Sequence, residues 1–138
     1  MAAPVRLELT WEGDQRFAGP GGESVLRLDG RGQAGPSPVQ ALAFSLAACM
    51  AIDVVHILTK GRFPPAALRA RLVGDRAQED PRRFLKVELH FEVEGDVPPD
   101  RVERAIALSR ETYCSVWHTL RPDLDFRTSF EVRPLPTP

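Results

Sequence analysis

The segment from Ser37 to Gly61 limits what this chain can fold into more than any other. Ser37-Pro38-Val39-Gln40 is a helix start. Ser is an N-cap hydroxyl. Pro sits at the first helical position, where its missing N–H is no loss. Gln at the third position carries an amide that reaches back to the N-cap N–H. Gly61, followed by Pro64-Pro65, is a helix stop with Gly61 as the first residue past the end. The spacing predicts a helix over residues 38–60, which is 23 residues and roughly 35 Å long. It is apolar nearly all the way round, through Leu42, Phe44, Leu46, Ile52, Val54, Val55, Ile57 and Leu58. A helix without a polar face is a buried helix. The chain has 138 residues and a mass of 15.3 kDa, enough for a single domain over 1–138. One domain of that size can hardly wrap such a helix, so a second subunit is expected to cover part of it. The apolar run Ala41–Ile52 is interrupted by Ser45 and ended by Asp53, too short for a membrane span.

Around this helix the sequence alternates as strands do. Val5, Leu7 and Leu9 alternate with Arg6, Glu8 and Thr10, which predicts a strand over Val5–Trp11. A Gly-rich loop, Glu12–Glu23, leads to a second strand, Ser24–Asp29, and the pair reads as a hairpin. Gly30–Gly35 is a further Gly-rich connection. After the helix, Ala66–Gly74 reads as a strand with Leu68, Ala70 and Leu72 on one face, and Asp75–Arg83 as a polar turn. Phe84–Glu94 is the clearest strand: Leu85, Val87, Leu89, Phe91 and Val93 face a core and the residues between them face water. Pro98-Pro99-Asp100 opens a second helix with Val102, Ala105, Ile106 and Ser109 on one face, ending near Tyr113-Cys114. Phe126–Val132 is a last strand and Pro134–Pro138 a frayed tail. These elements make an α+β domain with antiparallel sheets.

Composition excludes several classes. Two cysteines are too few for a disulfide-stapled scaffold. A formal net charge of -1 leaves no positive excess to hold nucleic acid or an anionic membrane surface. The N-terminus lacks a basic patch followed by an apolar stretch, so a cytoplasmic protein with reduced thiols is expected. Sixteen of the eighteen basic residues are Arg, Asn is absent and Pro numbers 13. Heat adaptation and a GC-rich genome account for that bias equally well.

Chemistry rests on few residues. Cys49 lies mid-helix and Cys114 at a helix end beside Tyr113, near Trp117 and His118. Each alone reads as core filler, because free Cys packs as a small hydrophobe. Together, within roughly 4.4–6.8 Å between Cα atoms, they would be a dithiol able to cycle. Asp53 and His56 follow Cys49 at i+4 and i+7. They fit either a Cys–His nucleophilic pair or the place where the helix emerges toward water or a partner. Cys49, His56, Cys114 and His118 hold the atoms of a zinc site but not the short paired spacing of structural zinc motifs. His90 reads as a surface residue, Arg82-Arg83 as solvated turn charge, and Gly19-Pro20-Gly21-Gly22 precedes no helix and so is no phosphate cradle.

Three blocks carry a resemblance: Gly35-Pro36-Ser37-Pro38, then Ala48-Cys49-Met50-Ala51-Ile52-Asp53-Val54-Val55 with Lys60-Gly61-Arg62, then Tyr113-Cys114-Ser115-Val116. With Trp11, Phe17 and the strand ending at Asp29, they make nearly the whole chain similar to the OsmC/Ohr family, the osmotically inducible protein C and organic hydroperoxide resistance proteins. The resemblance implies an intertwined α+β homodimer with a long buried central helix and active sites at the subunit interface. It implies reduction of organic hydroperoxides, with Cys49 attacking the peroxide, Cys114 resolving the sulfenic acid as a disulfide, and an external dithiol reducing that disulfide. No cofactor or metal is implied. An Arg of the early loop activates the first thiolate in the peroxidase branches. Arg16 fits that place, ahead of Arg27 and Arg31. Those branches hold the Arg with a Glu ten positions before the first Cys, and here that position is Val39, followed by Gln40. The chain is thus closer to a less characterised OsmC-like branch with the Gly-Pro-Ser-Pro start. Besides the peroxidase, the residues fit a non-enzymatic redox-responsive or small-ligand-binding dimer with structural thiols.

Overall fold

Helix α1 runs Pro38–Lys60, the residues its caps predict. The capping box forms: the Gln40 N–H donates to Ser37 Oγ at 3.2 Å, and the Ser37 N–H donates to Gln40 Oε1 at 2.9 Å. At the other end the Phe63 N–H reaches the Leu58 carbonyl at 2.9 Å and the Arg62 N–H the Thr59 carbonyl at 3.1 Å, the two bonds of a Schellman turn. The left-handed residue is Arg62, at φ +70°, one position beyond Gly61. This is a computed structural model describing residues 2–135. The expected frayed tail lies in part, at 136–138, outside the described residues. The chain divides into two compact units, one ending at Leu42 and the other beginning at Ala43.

The first unit holds an antiparallel sheet of β1 (Thr10–Trp11), β2 (Arg16–Gly21) and β3 (Ser24–Asp29), in the order β1-β2-β3. The Ser24–Asp29 strand is as expected. Its hairpin partner is not Val5–Trp11 but β2, within the segment read as a loop. Gly19, Pro20 and Gly21 depress strand propensity, yet the ladder to β3 forms across all six residues of β2. Gly22 at φ +64° turns the hairpin. The Val5–Trp11 strand shrinks to two residues, with Val5, Leu7 and Leu9 exposed. A Cβ on Gly19 would run into the Glu8 carbonyl, so glycine there lets the chain pass close. At the end of β3 the buried Asp29 carboxylate accepts the N–H groups of Ala34, Arg31 and Gln33 at 2.9, 2.9 and 3.3 Å. These bonds pin the Gly-rich connection and hold the carboxyl below its usual range.

The second unit holds β4 (Ala67–Arg76), β5 (Phe84–Glu94) and β6 (Asp125–Arg133), in the order β4-β5-β6. β4 is antiparallel to β5, but β6 runs parallel to it, with Val87 opposite Phe126 and Phe91 opposite Phe130. The expectation of antiparallel sheets is corrected here. The cause is the connection: α2 (Pro99–Leu108), a π-helical turn (Ser109–Tyr113) and α3 (Ser115–Thr119) carry the chain back, the crossover a parallel pair requires. Sequence reading ran α2 on to Tyr113 and missed both the π-turn and α3. The α2 face of Val102, Ala105, Ile106 and Ser109 is buried as expected.

Val87, Leu89, Phe91 and Val93 of β5 form the centre of the core, joined by Leu46, Met50, Val54 and Leu58 of α1. Leu85 is the exception on β5 and is exposed. The ladder jumps from Asp75–Lys86 to Arg76–Phe84, which leaves Leu85 as the bulged residue. Gly74 leaves the space that the Phe84 ring fills. The central helix is only partly buried. Its i, i+4 stripe is in the core, while Phe44, Ile52, Leu42 and Val55 are exposed. By length and composition alone α1, at a mean hydropathy of 2.1, is long and apolar enough to cross a membrane, contrary to the reading of Ala41–Ile52 by itself. In the described chain its buried stripe packs on β5 as a core helix does.

Candidate active site

Cys49 and Cys114, 65 positions apart in sequence, meet in the second unit as free thiols close enough for one to shift the titration of the other. Cys49 is half-buried on α1, next to Met50 of the core stripe. Cys114 is fully buried. It breaks the helical path at φ −75°, ψ 97°, between the π-turn and α3. Its N–H donates to the Ser109 carbonyl at 2.8 Å, the i→i+5 bond of the π-turn. Its Sγ accepts the Trp117 N–H at 3.3 Å and so caps α3.

Burial pushes the Cys114 thiol up to about 11 from an ordinary 9.0. The Trp117 N–H works against this, and the neighbouring Cys49 adds to it. Unfolded Cys114 loses its proton from 9.0 upward while the folded thiol keeps it to about 11. The unfolded state then binds fewer protons, so this residue's contribution to stability falls as pH rises through that window. Denaturant midpoints measured across the window are expected to fall more steeply for the natural chain than for Cys114→Ala.

A second contact runs beside the thiols. Asp53, one turn along α1 from Cys49, accepts the Ser109 hydroxyl at 2.7 Å. Ser109 is fully buried and Asp53 half-buried. The sequence pattern places Ser109 on the buried face of α2 and Asp53 either as an acid behind a Cys–His pair or as an emerging polar residue. Helical spacing within each element does not join the two. The available signal was the matched spacing, a carboxylate one turn from one Cys and a hydroxyl one π-turn from the other. His56 is exposed and, among the described residues, makes no hydrogen bond to Cys49. Asp53, His56, Lys60 and Tyr113 line a cavity of about 540 Å³ with Ile57 and Leu108.

The four atoms of the zinc alternative do not come together. Among the described residues, the group within reach of one ion is His90, Glu92 and Glu131 on the β4-β5-β6 sheet. His90 there bonds Ser129 at 2.7 Å and Glu131 at 3.2 Å, and Arg71 pairs with Glu92 at 2.7 Å. His90 is thus half-buried in a polar network rather than a bare surface residue. Arg82 and Arg83 are exposed in the turn, as expected.

In the first unit, Arg16 opens β2 opposite Asp29. Arg27 is held by Glu12 at 2.7 Å and Arg31 by Asp14 at 2.8 Å. Among the described residues Arg16 forms no ion pair within 4.0 Å, although its charge helps lower both Glu12 and Asp29. Val39 and Gln40 lie in the first turn of α1, and Gln40 is occupied by the capping box.

The chain is 35% identical to Protein YhfA of Escherichia coli K12 over 131 residues, 93% of this chain and 98% of that protein. Among solved structures it superposes on a hypothetical protein of Aquifex aeolicus with a TM-score of 0.89 and 26% identity, covering 96% of this chain and 98% of that one. An organic hydroperoxide resistance protein OsmC of Legionella pneumophila shares the fold, at a TM-score of 0.70 and 19% identity over 95% of this chain and all of the other. The OsmC-like protein family matches residues 30–129, a span that holds α1, both cysteines, β4, β5 and the first half of β6, and the chain belongs to that family.

Proposed function

We propose that the chain is a cysteine-based peroxidase of oxidative stress defence, reducing organic hydroperoxides in the cytoplasm. The observation that carries this reading is the pairing of two free thiols, Cys49 and Cys114, as neighbours. Names of solved structures of the same fold, including organic hydroperoxide resistance proteins, support it. The Cys49 thiolate attacks the outer peroxide oxygen. The O–O bond breaks, the alcohol leaves with a proton, and Cys49 becomes a sulfenic acid. The Cys114 sulfur then attacks the Cys49 sulfur. Water leaves and the disulfide forms, and an external dithiol returns both thiols while becoming a disulfide itself. Arg16, without an ion-pair partner in its own unit, is the activating cation in this reading. Val39 cannot hold it as a carboxylate would. A homodimer covers the apolar face of α1 that carries Phe44, Ile52 and Val55.

Burial of Cys114 and its raised pKa favour one rival, a redox-responsive dimer whose thiols are structural. Intact mass after one equivalent of an organic hydroperoxide separates the two. The peroxidase loses two hydrogens per chain as the disulfide closes. Unchanged mass, or oxygen added to Cys49 with no disulfide, would sink the two-thiol mechanism.

A further inference from the structure

We propose that Ser109, through its hydrogen bond to Asp53, is the positioning residue that holds Cys114 against Cys49 for disulfide closure. The inference rests on the thiol chemistry above and concerns its second step. Cys49 and Asp53 stand one turn apart on α1 and so share a face. Opposite them stand Cys114 and Ser109, five residues apart. In an α-helix, residues five apart point about 140° away from each other. The π-turn removes that divergence: its wider ring closes on the Cys114 N–H→Ser109 O bond at 2.8 Å and brings both residues to α1. The result is two neighbouring pairs, Cys49 with Cys114 and Asp53 with Ser109, the latter hydrogen-bonded at 2.7 Å. Ser109 is bonded at both ends of its residue, by its hydroxyl to α1 and by its carbonyl to Cys114. A shift of Ser109 is therefore a shift of the resolving thiol.

The geometry of a disulfide explains why such a device is needed. Closure tolerates only a narrow range of Cα separation and Cβ direction. Cys114 must also turn its sulfur away from the Trp117 N–H while its backbone stays in place. Apolar packing is non-directional and by itself does not fix one register of the π-turn on α1. The hydroxyl–carboxylate bond has one register and resists breaking, because the fully buried Ser109 hydroxyl would be left unsatisfied.

The test uses diamide, which oxidises a neighbouring thiol pair to a disulfide while becoming a hydrazine, and so needs no peroxidase activity. Disulfide formation in Ser109→Ala and Asp53→Ala is expected to be roughly tenfold slower than in the natural chain. Asp53→Asn keeps an acceptor oxygen and is expected to close at nearly the natural rate. Alkylation of Cys49 by iodoacetamide is expected to be unchanged in Ser109→Ala, which keeps the Asp53 charge, a readout that general loosening would move. Closure at the natural rate in both alanine variants would overturn the proposal, as would slowing in Ser109→Ala matched by equally altered Cys49 alkylation. If Ser109→Ala fails to fold, the contrast between Asp53→Asn and Asp53→Ala decides. A natural chain that closes with diamide yet reduces no hydroperoxide would overturn the peroxidase reading and leave the positioning role supported.

Discussion

Cys49→Ser is expected to lower hydroperoxide turnover by about a thousandfold or more. The reaction needs a nucleophile that is ionised, polarisable and able to carry an oxygen atom between two sulfur species. A thiol supplies all three. A serine hydroxyl stays protonated at neutral pH and has no sulfenate chemistry. Cys114→Ser is expected to behave differently. The first turnover survives at nearly the natural rate, because Cys49 still attacks. Steady-state turnover with a dithiol then falls, and Cys49 proceeds to the sulfinic acid, since no neighbour closes on the sulfenate. The two variants measured in one assay, single turnover and steady state, separate the roles. Equal single-turnover rates for Cys49→Ser and the natural chain would remove Cys49 from the chemistry.

Phe91→Ala is expected to destabilise the protein by about 3–5 kcal/mol. Phe91 is 0% exposed at the middle of β5, paired with Ala70 on one side and Phe130 on the other. Its neighbours belong to a ladder on both sides and cannot collapse into the space. Total stability of a domain is about 5–15 kcal/mol, so the loss is a large share of it. Urea midpoints compare it with Leu85→Ala, six residues away on the same strand. Leu85 is 44% exposed at the bulge, and its loss is expected to stay near 0.5 kcal/mol. A similar loss for both would contradict the bulge.

The helix ends show how much local chemistry can be read directly. Ser37, Pro38 and Gln40 act on backbone groups within one turn, so residue identity alone places the start of α1. The period-2 pattern of Phe84–Glu94 placed that strand to the residue, because alternation reports one wet and one dry face. Where the reading failed, long-range pairing had overridden local preference. Arg16–Gly21 became a strand because β3 supplies its ladder, not because Gly19-Pro20-Gly21 favours one. Val5–Leu9 kept its alternation and found no buried surface in the described chain. The direction of β6 was invisible, since alternation is the same in parallel and antiparallel pairs.

The candidate site divides along the same line. Both cysteines and Asp53 were singled out from sequence by their types and by spacing along α1. That Cys114 lies against Cys49, and that Ser109 ties its turn to Asp53, depended on the packing of α2 and the π-turn on α1. By itself the sequence determined the elements whose signals are local: caps, alternation and the family blocks around each thiol. Only the tertiary structure decided what those elements meet, because a contact across 65 residues is set by chain packing, and no residue carries that information alone.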